Sequence, residues 1–113
     1  MITVSIAKDF SRIPGARFPQ EGDHSGQEFR TQVLLPKLRE AIDKKDTLRV
    51  ILDGTAGLGT SFLEEAFGGL IREDNIPYDK VQSTLELISE EDEDYIEEIN
   101  QYIKDAYEQK NNR

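Results

Sequence analysis

The sequence predicts an α/β domain in which three to four helices pack against a mixed sheet of four strands. Three patterns lead to this prediction: apolar and polar residues alternate at the N-terminus, a short apolar run at residues 48–52 precedes a glycine-rich turn, and the C-terminal third carries a long apolar stripe at helical spacing. A length of 113 residues accommodates one hydrophobic core. We therefore expect residues 1–113 to form a single domain.

The N-terminal segment predicts a β-hairpin. Ile2, Val4 and Ile6 alternate with polar residues, as in a half-buried strand. Residues 13–18 contain the dipeptide Pro-Gly and indicate a turn into a second short strand. Two antiparallel strands would thus open the sheet.

The first long helix begins near Ser25. Ser25 with Glu28 three residues later is typical of a capping box, and apolar residues continue at helical spacing to about residue 44. Pro36 lies inside this span and is expected to kink the helix or split it, because it lacks a backbone donor.

Residues 48–52 predict a central parallel strand, because they form a mostly apolar run that follows a helix. A glycine-rich turn follows at residues 54–59, and Ser61 with Glu64 predicts a second capping box and a second helix. A Gly-Gly pair at residues 68–69 lies within this helix. The pair predicts either a close approach to the helix backbone at this point or an interruption of the helix.

The C-terminal part predicts one more strand and one more helix. Apolar and polar residues alternate over residues 81–87, as in a strand with one solvent-exposed face, which suggests an edge position. Ser89 is expected to cap the last helix, and residues 109–113 form a polar tail that we expect to fray. The apolar stripe of this helix comprises Tyr95, Ile96, Ile99, Tyr102, Ile103, Ala106 and Tyr107.

Composition excludes several classes of function. The chain has no cysteine and a single histidine, so we expect no disulfide, no thiolate nucleophile and no multi-histidine metal centre, and we assign no metal or cofactor. A net charge of −9 disfavours nucleic-acid binding. Neither a signal-peptide pattern nor a membrane-spanning run is present, and we therefore expect an unanchored cytoplasmic protein.

Several sequence blocks resemble the bacterial STAS-like domain family of unknown function. The resemblance spans roughly residues 1–73. The blocks that carry it are DFS (9–11), PGAR (14–17), SGQEFR (25–30), LD (52–53) and TSFLEEAFG (60–68). It implies a STAS-like fold, related to that of anti-sigma-factor antagonists.

The resemblance also implies a function. The antagonists are non-catalytic domains that bind an ATPase of the histidine-kinase-like fold and are switched by phosphorylation at the start of the helix after the central strand. Ser61, or Thr60 beside it, occupies the similar position here, although the residues around them, Gly59-Thr60-Ser61-Phe62, differ from the antagonist pattern. The partner-binding residues implied in this way are Asp53, Gly57, Leu58, Gly59, Phe62 and Glu65.

The residues leave other interpretations open. Ser61 could serve only as a helix cap. Residues 54–61 approximate a phosphate-binding loop, but Thr60 stands where that motif needs lysine. Arg17, His24 and Arg30 could form an anion site, with paired surface arginines as the plainer interpretation.

The acidic run at residues 90–94 lacks the alternating ligands of a calcium loop and indicates a solvated helix start. The same acidity suggests an alternative function. The protein could be an acidic inhibitor that presents a nucleic-acid-like face to a basic target.

Overall fold

Three short parallel strands form the centre of the fold. In the computed structural model, which describes residues 1–112, β1 (Ile2–Ser5), β2 (Leu48–Ile51) and β3 (Leu85–Ile88) pair in the order β1-β2-β3. Val4 lies beside Val50 in the register, and Val50 lies beside Leu87. Each connection between neighbouring strands includes helical segments, as parallel pairing requires.

The helices follow the strands in chain order. They are α1 (Ile6–Asp9), α2 (residues 26–43), α3 (residues 60–72), α4 (Tyr78–Thr84) and α5 (Asp94–Asn111). Both α2 and α3 contain one π-helical turn, at Arg30–Leu34 and at Glu64–Gly68. None of the helices in residues 1–112 is long and apolar enough to cross a membrane.

One face of the sheet carries the hydrophobic core. Val4, Leu48 and Val50 project into it, and the aromatic rings of Phe29 and Phe62 stack at a centroid distance of 5.8 Å. The predicted stripe of α5 also packs there, with Ile99, Ile103 and Ala106 buried; Tyr107 instead is 38% exposed and stacks on Tyr78. Other fully buried members are Phe67, Leu34, Leu38, Leu63 and Leu70.

The predicted hairpin and fourth strand are wrong. The chain turns into α1 directly after β1, because the Ser5 side chain accepts a hydrogen bond from the Lys8 N–H at 3.2 Å. Residues 13–18 form no strand. Their backbone groups bond instead to the start of α2, for example from the Gly26 N–H to the Ala16 carbonyl at 2.9 Å. The described sheet is therefore three-stranded and wholly parallel.

The predicted strand at residues 81–87 is wrong for its first half. The chain is helical from Tyr78, directly after Pro77, through Thr84. Val81 and Thr84 are both buried, three residues apart on one helical face. Alternation and helical spacing coincide over these few residues, so the pattern did not distinguish them.

The predicted Ser25–Glu28 capping box is confirmed. Three other predictions about the helices differ from the structure. Pro36 does not split α2, because the π turn lies directly before it and rearranges the hydrogen bonds. Ser89 is not the cap of α5, which begins at Asp94. The α5 helix continues to Asn111, so the predicted frayed tail is helical over residues 109–111. Arg113 lies outside the described residues.

Candidate functional site

The β2–α3 loop (residues 52–59) leaves the carboxyl end of β2 and is held against the segment between β3 and α5. The Asp53 carboxylate accepts hydrogen bonds from the backbone N–H groups of Glu90 at 2.9 Å and Glu91 at 2.8 Å. In return, the Glu91 carboxylate accepts one from the Gly54 N–H at 2.8 Å. Asp53 therefore ties two loops together.

Two further hydrogen bonds hold the middle of the β2–α3 loop. The Ala56 N–H donates to the Arg12 carbonyl at 2.8 Å. The Leu58 N–H donates to the Tyr95 hydroxyl at 3.2 Å, and the Leu58 side chain is only 6% exposed. The loop is thus fixed from opposite sides, and it positions the first turn of α3.

Ser61 lies in the first turn of α3 but does not cap it. The N-cap is Gly59, which has no side chain, and the predicted capping box of Ser61 with Glu64 is therefore wrong. Glu64 instead accepts hydrogen bonds from Arg17 at 2.5 Å and from Arg72 at 2.6 Å. These arginines draw its carboxylate away from the N-terminus of α3.

Both hydroxyl residues at this helix start are accessible. Thr60 and Ser61 are exposed, and neither hydroxyl makes a hydrogen bond within residues 1–112. The first backbone N–H groups of an α-helix lack intrahelical partners, and no side chain caps those of α3. An anion attached at Ser61 would therefore lie beside free donors and the positive end of the helix dipole.

The implied partner-binding residues differ in exposure, and Asp53 is half-buried with its carboxylate bonded to Glu90 and Glu91. Gly57 and Gly59 are exposed. Leu58, Phe62 and Glu65 are buried, at 6%, 0% and 3% exposure, so their side chains do not reach a docked partner without local opening. These three contribute to the surface indirectly, by holding its backbone in place.

An ion cluster lies behind this turn, where α2 and α3 cross. Arg30 and Glu65, each with a side chain only 4% exposed, form an ion pair, and Arg30 Nη1 also donates to the Glu65 carbonyl at 2.9 Å. Arg30 Nε lies 3.0 Å from an Asp74 carboxylate oxygen. Arg17 and Arg72 each approach Glu65 Oε1 to 3.4 Å. With Glu64, these residues form the ion cluster: Arg17, Arg30, Glu64, Glu65, Arg72 and Asp74.

The pKa values in the ion cluster reflect burial and pairing. Burial acts to raise the pKa of Glu64, but hydrogen bonds from Arg72 and Arg17 outweigh it and hold that pKa below its usual value. The hydrogen bond to Glu64 raises the pKa of Arg17. Burial raises the pKa of Asp74, and the nearby charge of Arg30 only partly opposes this.

The candidate anion site is only partly assembled. Arg17 and Arg30 do converge, but on Glu65, so carboxylates already neutralise their charges. His24 packs edge-on against Phe10, with ring centroids 5.8 Å apart. This arrangement matches the plainer alternative given above, in which the arginines are paired with carboxylates.

An open cleft of about 660 Å³ lies at the carboxyl ends of β1 and β2. Its lining includes Lys8 and Arg12, which form no ion pair within the described residues, and the carboxylates of Asp9, Asp53 and Glu91. No local sequence motif marks Lys8 or Arg12, because the segment around α1 and the β2–α3 loop meet only in the folded chain.

Comparison with known proteins places this chain in a family. Residues 25–95 match the model of the STAS-like domain of unknown function (DUF4325), and the chain belongs to this family. The matched region includes β2, the β2–α3 loop and α3. It confirms the STAS-like α/β class expected from the sequence blocks. No curated protein and no solved structure matches the chain significantly.

Proposed function

We propose that this protein is a non-catalytic regulatory module that binds a protein partner through the β2–α3 loop and the first turn of α3, with Ser61 as the phosphoacceptor. The observation that carries the proposal is the exposed, unbonded Ser61 hydroxyl on a helix whose N-cap is glycine. The hydroxyl of a serine that caps a helix is occupied by a hydrogen bond from the backbone. The Ser61 hydroxyl makes no such bond within residues 1–112.

Phosphorylation would change this surface strongly. A phosphate at Ser61 adds close to two negative charges, and the free N–H groups of the first turn hold it in one orientation. The loop behind Ser61 is fixed by hydrogen bonds from Gly54, Ala56 and Leu58, so added bulk is not absorbed by loop movement. A partner fitted to the unmodified surface would be displaced.

The charge around the loop indicates the chemistry of the partner. The loop contacts the acidic segment at residues 90–94, all of which are exposed. A partner surface that meets Gly57, Gly59 and this segment should be basic. The resemblance to anti-sigma-factor antagonists suggests an ATPase of the histidine-kinase-like fold, and we propose that class of partner.

The acidic segment also supports a second candidate, an acidic inhibitor that binds a basic nucleic-acid-processing protein. Within residues 1–112, none of the five carboxylates at 90–94 forms a salt bridge, so their charge is available to a partner. Binding of this kind would weaken steeply with added salt and would not depend on Ser61.

The test begins with capture of partners by the tagged protein from its host and identification of phosphopeptides that cover residues 54–72. The affinity of the purified partner is then measured for wild type, Ser61→Ala, Ser61→Glu and Thr60→Glu. We expect Ser61→Glu to weaken binding at least about tenfold and Ser61→Ala to leave it nearly unchanged. Ser83→Glu is the matched control, because Ser83 is exposed on α4, at the opposite end of the sheet.

The two candidates give different outcomes. An ATPase partner whose affinity falls only with Ser61→Glu supports the switch. Equal affinities for all variants, together with a steep loss on addition of salt and capture of a basic nucleic-acid-binding protein, would replace it with the inhibitor function.

A further inference from the structure

Within residues 1–112, the second face of the sheet is left largely uncovered, and only the single-turn α1 lies beside it, at the carboxyl end of β1, where it buries Ser5. Side chains alternate along each strand, and Val4, Leu48, Val50 and their neighbours project toward the helices. The residues of the opposite face are Thr3, Ser5, Arg49, Ile51, Glu86 and Ile88, and we call this set the open face. Ile51 and Ile88 are half-buried and lie outside the hydrophobic core.

A bare face is unusual for this kind of sheet. Sheets made only of parallel strands occur almost entirely with both faces covered. Here Arg49 and Glu86 remain 38% and 40% exposed, although they contact each other at 3.4 Å, and Arg49 Nε is buried without a hydrogen-bond partner among the described residues. The open face therefore has half-buried apolar side chains and a partly exposed pair of opposite charges available for a covering surface.

The strand register makes the open face complementary to itself. Arg49 on β2 lies beside Glu86 on β3, and Ile51 lies beside Ile88. Consider a two-fold axis that runs along the strands, midway between β2 and β3, with two sheets stacked about 10 Å apart. It places β2 of one copy over β3 of the other at the same level. Each Arg49 then faces a Glu86, and each Ile51 faces an Ile88.

We propose that the open face is the interface of a homodimer built on this two-fold axis. Such an interface uses the same patch on both copies, and opposite charges meet twice while the isoleucines exclude water between them. A heterologous partner would need its own matching pair of charges and apolar residues. A second copy has them by symmetry.

The dimer should be weak and reversible. Only β2 and β3 of each copy overlap in this arrangement, which is less than a standard protein interface, and two chains of net charge −9 repel each other at long range. We expect a dissociation constant of roughly 10–500 µM at physiological salt. Ser61 is not a residue of the open face, so variants of Arg49 and Glu86 test the dimer without changing the proposed phosphoacceptor.

Sedimentation equilibrium of the full chain from about 5 µM to about 1 mM tests the proposal. Glu86→Arg and Arg49→Glu should each weaken dimerisation at least about tenfold, because each places like charges opposite each other, and the double charge swap should restore it to within about threefold. The control is Glu40→Arg. Glu40 is 39% exposed and paired with Lys44 on α2, which makes it a match for Glu86 away from the open face.

Cross-linking locates the contact. The chain has no cysteine, so an Ile51→Cys copy can be mixed with a tagged Ile88→Cys copy and treated with a short bis-maleimide, because facing residues of two stacked sheets lie too far apart for a disulfide. The two-fold arrangement predicts that these two variants cross-link to each other, whereas two copies of Glu40→Cys, with the cysteine away from the open face, do not. A monomer throughout the concentration range overturns the proposal, as does a dimer that Glu86→Arg and Glu40→Arg weaken equally or that the charge swap fails to restore.

Discussion

The Arg30 guanidinium lies directly over the Cα of Gly69, where a β-carbon would clash with Nη1 and would lie only 3.0 Å from Cζ. Arg30 cannot move away easily, because it pairs with Glu65 and Asp74 in a site that is almost fully buried. Gly69 is thus explained by the close approach of Arg30, while a β-carbon at Gly68 would lie 2.5 Å from Glu64 Oε2. The ion cluster needs a helix surface without a side chain.

Gly69→Ala should destabilise the protein. Alanine favours a helix by about 1 kcal/mol over glycine, but the clash with Arg30 costs more, and we expect a net loss of about 1–3 kcal/mol in the free energy of unfolding. Urea denaturation measures this change. The control is Gly69→Ala in the Arg30→Met background, where the clashing guanidinium is absent; an equal loss in both backgrounds would argue against the contact with Arg30.

Removal of one partner of the Arg30–Glu65 pair should cost more than removal of both. Arg30→Met leaves a carboxylate with a side chain only 4% exposed beside Arg17 and Arg72, and we expect a loss of about 3–5 kcal/mol. Adding Glu65→Leu should recover part of that loss. A double-mutant cycle by urea denaturation gives the coupling, and strictly additive effects would show that the two side chains act independently.

Acid should weaken the contribution of Glu64. Its pKa is lower in the folded chain than its ordinary value of 4.5, so Glu64 stabilises the fold above that pH and loses this effect as the pH falls through the folded pKa. The stability difference between wild type and Glu64→Gln should therefore narrow below pH 4.5. Thermal unfolding from pH 7 downward measures it.

Asp74 supplies the control of opposite sign. Its pKa is raised by burial above the ordinary 3.8, so its titration favours the folded state at low pH and loses this effect as the pH rises through the folded pKa. The difference between wild type and Asp74→Asn should change with pH in the opposite direction. The same pH dependence for both variants would contradict the opposite directions of the Glu64 and Asp74 pKa shifts.

Tyr95→Phe should loosen the β2–α3 loop. The change removes the acceptor of the Leu58 N–H, and a hydrogen bond of this kind contributes about 0.5–1.5 kcal/mol. We expect faster hydrogen exchange at Leu58, measured by NMR, with the protection of β2 retained. Tyr102→Phe is the control, because the Tyr102 hydroxyl makes no hydrogen bond in residues 1–112. Unchanged exchange at Leu58 would mean that Tyr95 does not hold the loop.

The sequence by itself determined those features that depend on neighbours a few residues apart. The Ser25–Glu28 capping box, the strand at residues 48–52 and the apolar stripe of α5 all follow from spacings within one or two turns or along one strand. The family was also visible in short blocks, and the match over residues 25–95 confirms it.

Only the tertiary structure decided which alternative a local pattern adopted. Ser61 and Glu64 have the spacing of a capping box, but Arg17 and Arg72 bind Glu64 from distant parts of the chain, and Gly59 caps the helix instead. Residues 13–18 could have paired as a strand, but their hydrogen bonds go to the start of α2. Contacts between residues far apart in sequence compete with local preferences of about 1 kcal/mol, and a buried or half-buried polar group left without its partner costs more than such a preference.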